Sequence, residues 1–257
     1  MYYYIFDVKK FKKRKEVENI KSHLSTLGIS GEYTYPSNAQ SVVELIDLAL
    51  SKQYTTIVAV GGDYLINEVA GGLVGKKEAM GIIPVEASSE LTTLLGTDNW
   101  HAACEILRFR KISELRLGRT GSGYHFITHI GLDAKLGAEV TIELKDFMIQ
   151  AKVKTLSITN FSPTTPKRKD ILDITFESMS NNESVIGKIS SFFGSKQVEN
   201  NLAKSLFHAR SMRIFTKNQV PLLLNGKVIA KTPQYIESTD EDLRLITAKK
   251  AFNFWAE

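Results

Sequence analysis

The chain reads as α/β followed by all-β: a parallel α/β domain of nucleotide-binding type, then an antiparallel β-sandwich domain. Three observations predict this. The first 115 residues alternate strand-like and helix-like hydrophobic patterns, the order that builds a parallel sheet covered by helices. After about residue 113 the helical period gives way to short alternating segments separated by polar or glycine-containing turns, as in a sandwich. Finally, 257 residues at 43% hydrophobic and 24% charged are enough for two modest domains, each with its own core. The expected division is 1–115 and 116–257.

The elements follow in order. "YYYIF" (2–6) reads as a strand and residues 14–27 as a helix closed by Gly28. "GEYTYP" (31–36) is a second strand, ended by Pro36. Residues 38–51 place Val42, Val43, Leu45, Ile46, Leu48 and Leu50 on a broad helical face. "TTIVAV" (55–60) is apolar and β-branched, as a strand buried on both faces should be. A helix over 65–74, the strand "AMGIIPV" (79–85) and the helix "HAACEILRF", with Cys104 buried, complete this half. Beyond it, "SELRLGRT", "YHFITHIGLD", "TLSITNF", "ILDITFES" and "ARSMRIFT" are strands. "PLLLNGKVIAKTP" (221–233) is a hairpin, because Asn225-Gly226 is the preferred type I′ turn. "QYIES" and "DLRLITA" are two further strands, and helix-like residues 181–193 interrupt the series.

Composition excludes several classes. No apolar run approaches the roughly 18 residues of a membrane span. The N-terminus puts its apolar run before its basic run, the wrong order for a signal peptide. One cysteine, Cys104, excludes an internal disulfide and a multi-cysteine metal site. The expectation is a cytoplasmic protein, peripheral at a membrane if it meets one. The net charge of +5 is concentrated in "KKFKKRK" (9–15), where six of seven positions are basic. That run reads as a solvated loop and helix start, or as a contact for anionic lipid headgroups or polyphosphate. Nucleic acid is disfavoured, since no aromatic residues interleave the charges and no binding motif accompanies them. The amphipathic "SVIGKISSFFG" (184–194) reads as a surface helix on the sandwich or a membrane contact. His125 and His129 are spaced i, i+4 on a strand rather than a helix, which suits a core or rim role better than a metal. Ser122 in "TGSGY" lacks nucleophile-elbow spacing and reads as a hairpin loop.

The chemistry gathers at "TTIVAVGGDYLINEVAGGLVG" (55–75). Here a buried strand runs through Gly61-Gly62-Asp63 into a helix, at the carboxyl end of an open α/β sheet, where such sheets bind ligands. Backbone N–H groups of a glycine turn and of a helix start both point at anions. The chain lacks the P-loop and G-x-G-x-x-G patterns, and a bare Gly-Gly-Asp serves equally well as a structural turn.

"VAVGGDYLINEVAGGL" resembles the G-G-D-G-T-x-N-E-V signature of the diacylglycerol kinase catalytic family, lipid kinases distantly related to NAD kinases and 6-phosphofructokinases. The similarity continues in order. "MGIIPV" resembles the strand before the second glycine motif. "ISELRLGRTGSGYHFITHIGLDAKL" resembles the family's lead into its β domain, and "TNFSPTTP…ILDITF" its D-G-x-L-D region. "PLLLNGKVIAKTPQYIES…DLRLI" resembles its closing D-G-E hairpin and last strands, which in the family pack back near the first domain. The resemblance implies ATP with magnesium as cofactors, a lipid acceptor, and a homodimer or an active paralogue as partner. It implies that Gly61 and Gly62 let the backbone approach the ATP phosphates and that Asp63 lies beside phosphates and metal. Asn67 and Glu68 would hold the nucleoside, and Thr34 would border the adenine.

Five departures from the family pattern fall on the chemistry. Its third glycine is Tyr64 and its threonine Leu65. A tyrosine at a positive-φ position would be strained or would force another turn, and its ring would stand in the path of a triphosphate; Leu65 loses a hydroxyl donor. The second motif, P-x-G-T-x-N-D, reads Pro84-Val85-Glu86-Ala87-Ser88-Ser89-Glu90, bringing a carboxylate toward phosphate oxygens. The D-G-E turn is Asn225-Gly226-Lys227, so the family's base position holds an amide that takes no proton. In the D-G-x-L-D region Lys169 and Asp170 replace the first two residues, while Leu172 and Asp173 match. "DVKKF" stands in place of N-P-x-S-G. Three readings follow: a degenerate lipid kinase that keeps nucleotide or lipid binding; an active ATP-dependent lipid or small-molecule kinase with Glu86, Glu90 or Asp133 re-routed around magnesium; or an interaction module whose cleft is filled by Tyr64.

Overall fold

In the computed structural model, which describes residues 1–132, 137–161, 170–178 and 204–248, four parallel strands open the chain. They are β1 (Tyr2–Phe6), β2 (Gly31–Thr34), β3 (Thr56–Gly61) and β4 (Ala79–Pro84), in spatial order β2-β1-β3-β4. Every residue of β3 and β4 is buried, as central strands covered on both faces require. Helices α2 (Val42–Ser51), α3 (Asp63–Leu73) and α4 (Ser89–Leu95) pack one face, and α1 (Arg14–Thr26) and α5 (Trp100–Phe109) the other. Helix starts depend on local capping. Ser41 and Glu44 form a reciprocal capping box, which fixes the start of α2 at Val42 rather than at residue 38. No such device precedes α3, which starts directly after Gly62, two residues before the expected 65.

An antiparallel region follows: β5 (Ile112–Thr120), β6 (His125–Phe126), β7 (His129–Leu132), β8 (Ala138–Glu143), β9 (Met148–Thr159), β10 (Leu172–Ser178), β11 (Lys204–Ala209), β12 (Ser211–Thr216), β13 (Pro221–Leu224), β14 (Lys227–Lys231) and β15 (Gln234–Ile246). Alternating residues of these strands fill a separate core. Asn225 and Gly226 both have positive φ, 46° and 81°, as the type I′ hairpin requires. "QYIES" and "DLRLITA" prove to be one strand, β15, with a register irregularity between Ser238 and Asp242. This strand ties the halves together: it pairs antiparallel with β12 and β5, and Leu245 pairs parallel with Met80 of β4. Leu243 and Leu245 accordingly pack in the α2–α3 core with Leu115, Leu117 and Ile127.

The helix expected at 181–193, the amphipathic stretch at 184–194, Asp133 and Lys169 lie outside the described residues. Among the described residues no helix is long and apolar enough to cross a membrane.

Candidate functional site

Three loops meet at the carboxyl ends of the parallel strands. The β1–α1 connection begins with a 3-10 turn, Val8–Lys10, introduced by Asp7. Beside it lie the Gly61-Gly62 turn and the β4–α4 loop. The two glycines are needed for space, not for unusual dihedrals, since Gly62 has φ −90° and ψ 177°. A Cβ on Gly61 would stand 2.8 Å from Asp7 Cβ, and one on Gly62 would stand 3.0 Å from Lys10 Cε.

Asp63, the first residue of α3, is only 5% exposed. Its Oδ1 accepts from the Ser88 backbone N–H at 2.7 Å and its Oδ2 from the Ser88 hydroxyl at 2.5 Å. Ser88 is also the N-cap of α4, so the carboxylate staples the starts of two helices together. Asn67 is equally engaged. Its amide donates to the Asp63 carbonyl at 2.7 Å, and its Oδ1 accepts from the Ile127 N–H at 2.6 Å. The Ile127 carbonyl accepts in turn from Asn160 Nδ2 at 2.8 Å. Two asparagines thus satisfy both backbone groups of a buried residue between β6 and β7, as burial of a peptide unit demands.

Tyr64 is not strained. The non-glycine residues with positive φ among those described are Gln53, Glu86, Arg110 and Asn225, and Tyr64 is simply helical. The expectation of strain or a different turn is corrected, because α3 begins before this residue. Its ring stacks on Tyr124 at 6.2 Å, and Lys227 Nζ lies 2.8 Å from the ring centroid. Burial first, and then the nearby Glu68 carboxylate, push its hydroxyl's pKa up to about 12. The neighbouring Tyr124 phenol is raised chiefly by burial, then by Tyr64, Glu68 and Asp63, and its buried hydroxyl makes no hydrogen bond among the described residues. Leu65 is 2% exposed and belongs to the core with α2. The position therefore faces the core, not a phosphate, and the idea of a lost phosphate donor there is corrected as well.

Glu86 has φ 51°, the left-handed backbone that a glycine adopts freely and other residues do not. Its carboxylate pairs with Lys10 at 3.7 Å, both side chains about half exposed. Glu90 instead lies 4.0 Å from His129. Among the described residues no three His, Cys, Asp or Glu side chains converge as a metal site. Of the acids in this region, Asp63 accepts hydrogen bonds from Ser88, Glu86 lies 3.7 Å from Lys10 and Glu90 lies 4.0 Å from His129. Thr34 is half-buried at the end of edge strand β2, level with Ile5 of β1. Asn225 is exposed at the tip of the β13–β14 hairpin, whose Lys227 is what reaches α3. Cys104 is buried, its thiol pushed up to about 12 by burial first and Glu105 second, which leaves it unreactive.

The structure thus gathers Gly61, Gly62, Asp63, Asn67 and Glu68 on one turn and helix start and leaves Thr34 on the edge strand. Ser88, Lys10, Tyr124 and Lys227 escaped sequence reasoning. Ser88 alone carried a usable signal, as an N-cap serine three residues before Leu91, the first apolar residue of α4.

Residues 9–120 match the family model of the diacylglycerol kinase catalytic domain. A curated protein of Klebsiella pneumoniae (strain 342), "Probable lipid kinase YegS-like", is 45% identical over 56 residues. That match covers 21% of this chain and 19% of the relative, about a fifth of its length. In three dimensions the chain is similar to a diacylglycerol kinase from Bacillus anthracis str. Sterne, with TM-score 0.72, 17% identity and 97% of each chain covered. It is also similar to yeast NADH kinase complexed with NADH, with TM-score 0.60, 8% identity, and 98% and 85% covered.

Proposed function

From a diacylglycerol kinase-like chain, with that family's catalytic model matching residues 9–120 and the fold of diacylglycerol kinases and NADH kinase throughout, we propose a lipid-kinase-like protein that binds a nucleotide phosphate without transferring it. The observation that carries this reading is the Asp63 carboxylate. Both of its oxygens accept hydrogen bonds from Ser88, so it acts as a cross-link between α3 and α4 and is not free to orient a transferring phosphate. The family's base position holds Asn225, which cannot accept a proton at neutral pH.

Binding is supported by what remains. No side chain caps the start of the 11-residue helix α3, so its first-turn N–H groups face an incoming anion with the positive end of the helix behind them. Lys10 lies alongside Gly62 and places a cation beside the turn. A phosphate at this turn would take Lys10 from Glu86. Magnesium-ATP should raise the melting temperature in a concentration-dependent manner, while phosphate transfer to lipid acceptors stays at the level of an Asp63→Ala control. Transfer well above that control would overturn the proposal.

One observation favours the interaction-module reading. Lys227 and Tyr64 already join the two halves across the cleft. That reading predicts no thermal shift with millimolar ATP, ADP or NAD and magnesium.

A further inference from the structure

Two cations from opposite halves of the chain stand at the first turn of α3. Lys10 comes from the 3-10 turn after β1, and its Cε stands 3.0 Å from where a Gly62 Cβ would lie. Lys227 comes from the antiparallel region, and its Nζ rests 2.8 Å from the ring centroid of Tyr64, the second residue of α3. The backbone carrying Lys227 is firmly placed. It opens β14 directly after the Asn225-Gly226 turn. On the other arm of the hairpin, Leu222 and Leu224 are buried in the second core, and Leu222 and Leu223 pair with Leu132 and Gly131 of β7. The Tyr64 ring is supported in turn by Tyr124, stacked at 6.2 Å and 28°.

The acids around these cations are already engaged. Asp63 accepts from the Ser88 N–H and hydroxyl, Glu86 lies 3.7 Å from Lys10, and Glu68 is near the Tyr64 hydroxyl. Lys227 is exposed and, among the described residues, meets a ring and no carboxylate. A cation–π contact at an exposed site is weaker than a charge-assisted hydrogen bond to phosphate. The ring therefore keeps the ammonium close to the turn, and the flexible four-carbon stem lets it move to an anion. The two lysines differ in what they can reach. Lys10 lies over the glycine turn itself, where the first-turn N–H groups of α3 take an anion. Lys227 lies over Tyr64, farther along the helix and from the other side of the cleft, so it meets an anion that extends beyond the turn.

We propose that Lys227 reads the length of the phosphate chain: it contacts the outer phosphates of a nucleoside di- or triphosphate and not the phosphate of a monophosphate. This rests on the reading of the Gly61-Gly62 turn as a nucleotide phosphate site. A bound polyphosphate then joins the two halves of the chain through the ligand, where the bare protein joins them through Lys227 and Tyr64.

The test is calorimetric titration of the full chain with AMP, ADP and ATP in one magnesium buffer. The wild type should prefer ATP and ADP to AMP. Lys227→Gln, which keeps the stem and removes the charge, should weaken ATP by about ten-fold or more, the loss of one hydrogen bond from a charged donor, and leave AMP unchanged. Lys227→Arg should retain the preference. Lys231→Ala, at the far end of the same strand, should leave all three affinities as they are, with thermal melting confirming that each variant folds. If the wild type binds ATP and Lys227→Gln binds it equally well, the role of Lys227 is overturned and the nucleotide site stands. Tighter ATP binding by Lys227→Gln overturns it too, showing that the lysine blocks the cleft. Equal losses of AMP and ATP, or an equal loss in Lys231→Ala, overturn it in favour of a structural or diffuse charge effect. If the wild type binds no ATP, the nucleotide reading fails and this inference with it.

Discussion

Glu86 holds a backbone conformation that its side chain disfavours, with φ 51°, and its ion pair among the described residues is the solvent-exposed one with Lys10. Exposed pairs contribute little, whereas relief of a left-handed non-glycine residue contributes about 1 kcal/mol. Glu86→Gly should therefore stabilise the protein and raise its melting temperature by about 2–4 °C; a fall would show that the Lys10 pair outweighs the backbone cost. The sequence held part of this. Alignment with a family glycine marked Glu86 as out of place, but only the structure shows that the glycine's dihedral persists beneath it. Tyr64 taught the opposite lesson: the same motif pointed to a strained tyrosine, and an earlier helix start removed the strain. Its hydroxyl, pushed up to about 12 by burial and then by the Glu68 carboxylate, should stay neutral when exposed tyrosines ionise near pH 10. An acid whose folded pKa is raised adds stability that is full below the unfolded value of about 10 and lost as pH climbs toward about 12. Glu68→Gln should bring the Tyr64 absorbance titration down; an unchanged titration would mean that burial alone sets it.

The element that organises the site is α3, and its glycine pair answers to packing. A Cβ on Gly71 would stand 2.9 Å from His125 Nδ1 and 3.3 Å from its Cβ, so α3 can lie against β6 only with glycine there. Gly71→Ala should destabilise by about 1–2 kcal/mol, overpacking outweighing the better helix propensity, as read by urea unfolding. His125 itself is held neutral, its pKa lowered first by burial and then by Arg119. Unfolding lets it take a proton, so its contribution is complete above the usual histidine value of about 6.5 and is lost as pH falls below it. His125→Gln should flatten that acid-side slope in the urea midpoint. Leu65 belongs to the same helix and limits what can be tested: Leu65→Thr removes a core side chain and should cost about 2 kcal/mol or more. Tyr64→Gly alone is therefore the variant that probes access to the turn. The α3 start was misplaced by two residues because its N-cap is Gly62, which carries no side-chain oxygen for sequence reasoning to find.

At the scale of the molecule, the four parallel strands were legible because β3 and β4 are buried on both faces and their apolar runs are unambiguous, whereas the short helix α4 between β4 and α5 was not. Much of the antiparallel region was legible as strands, and its Asn225-Gly226 hairpin in detail, but β8 was missed and the end of β11 was merged with β12. The single strand β15 was not legible, because "STDED" between its two apolar stretches mimics a turn. Nor was the way β15 joins the halves, since Leu245 reaches Met80 over a separation that no local pattern encodes. The candidate site was legible as residues and illegible as relations: nothing in the order of the chain pairs Asp63 with Ser88 or Lys227 with Tyr64. Those relations carry the functional account, and Gly62 offers a check on the binding half of it. Gly62→Ala, with ordinary dihedrals and only the flexible Lys10 chain in its way, should change stability by less than about 1 kcal/mol and still weaken ATP binding. The most direct measurement is transfer of labelled γ-phosphate from magnesium-ATP to lipid acceptors in vesicles, comparing the wild type with Asp63→Ala. The account predicts the same background for both while the wild type still binds ATP. Wild-type transfer well above the variant would contradict it, because Asp63 would then be serving the reaction rather than the cross-link to Ser88.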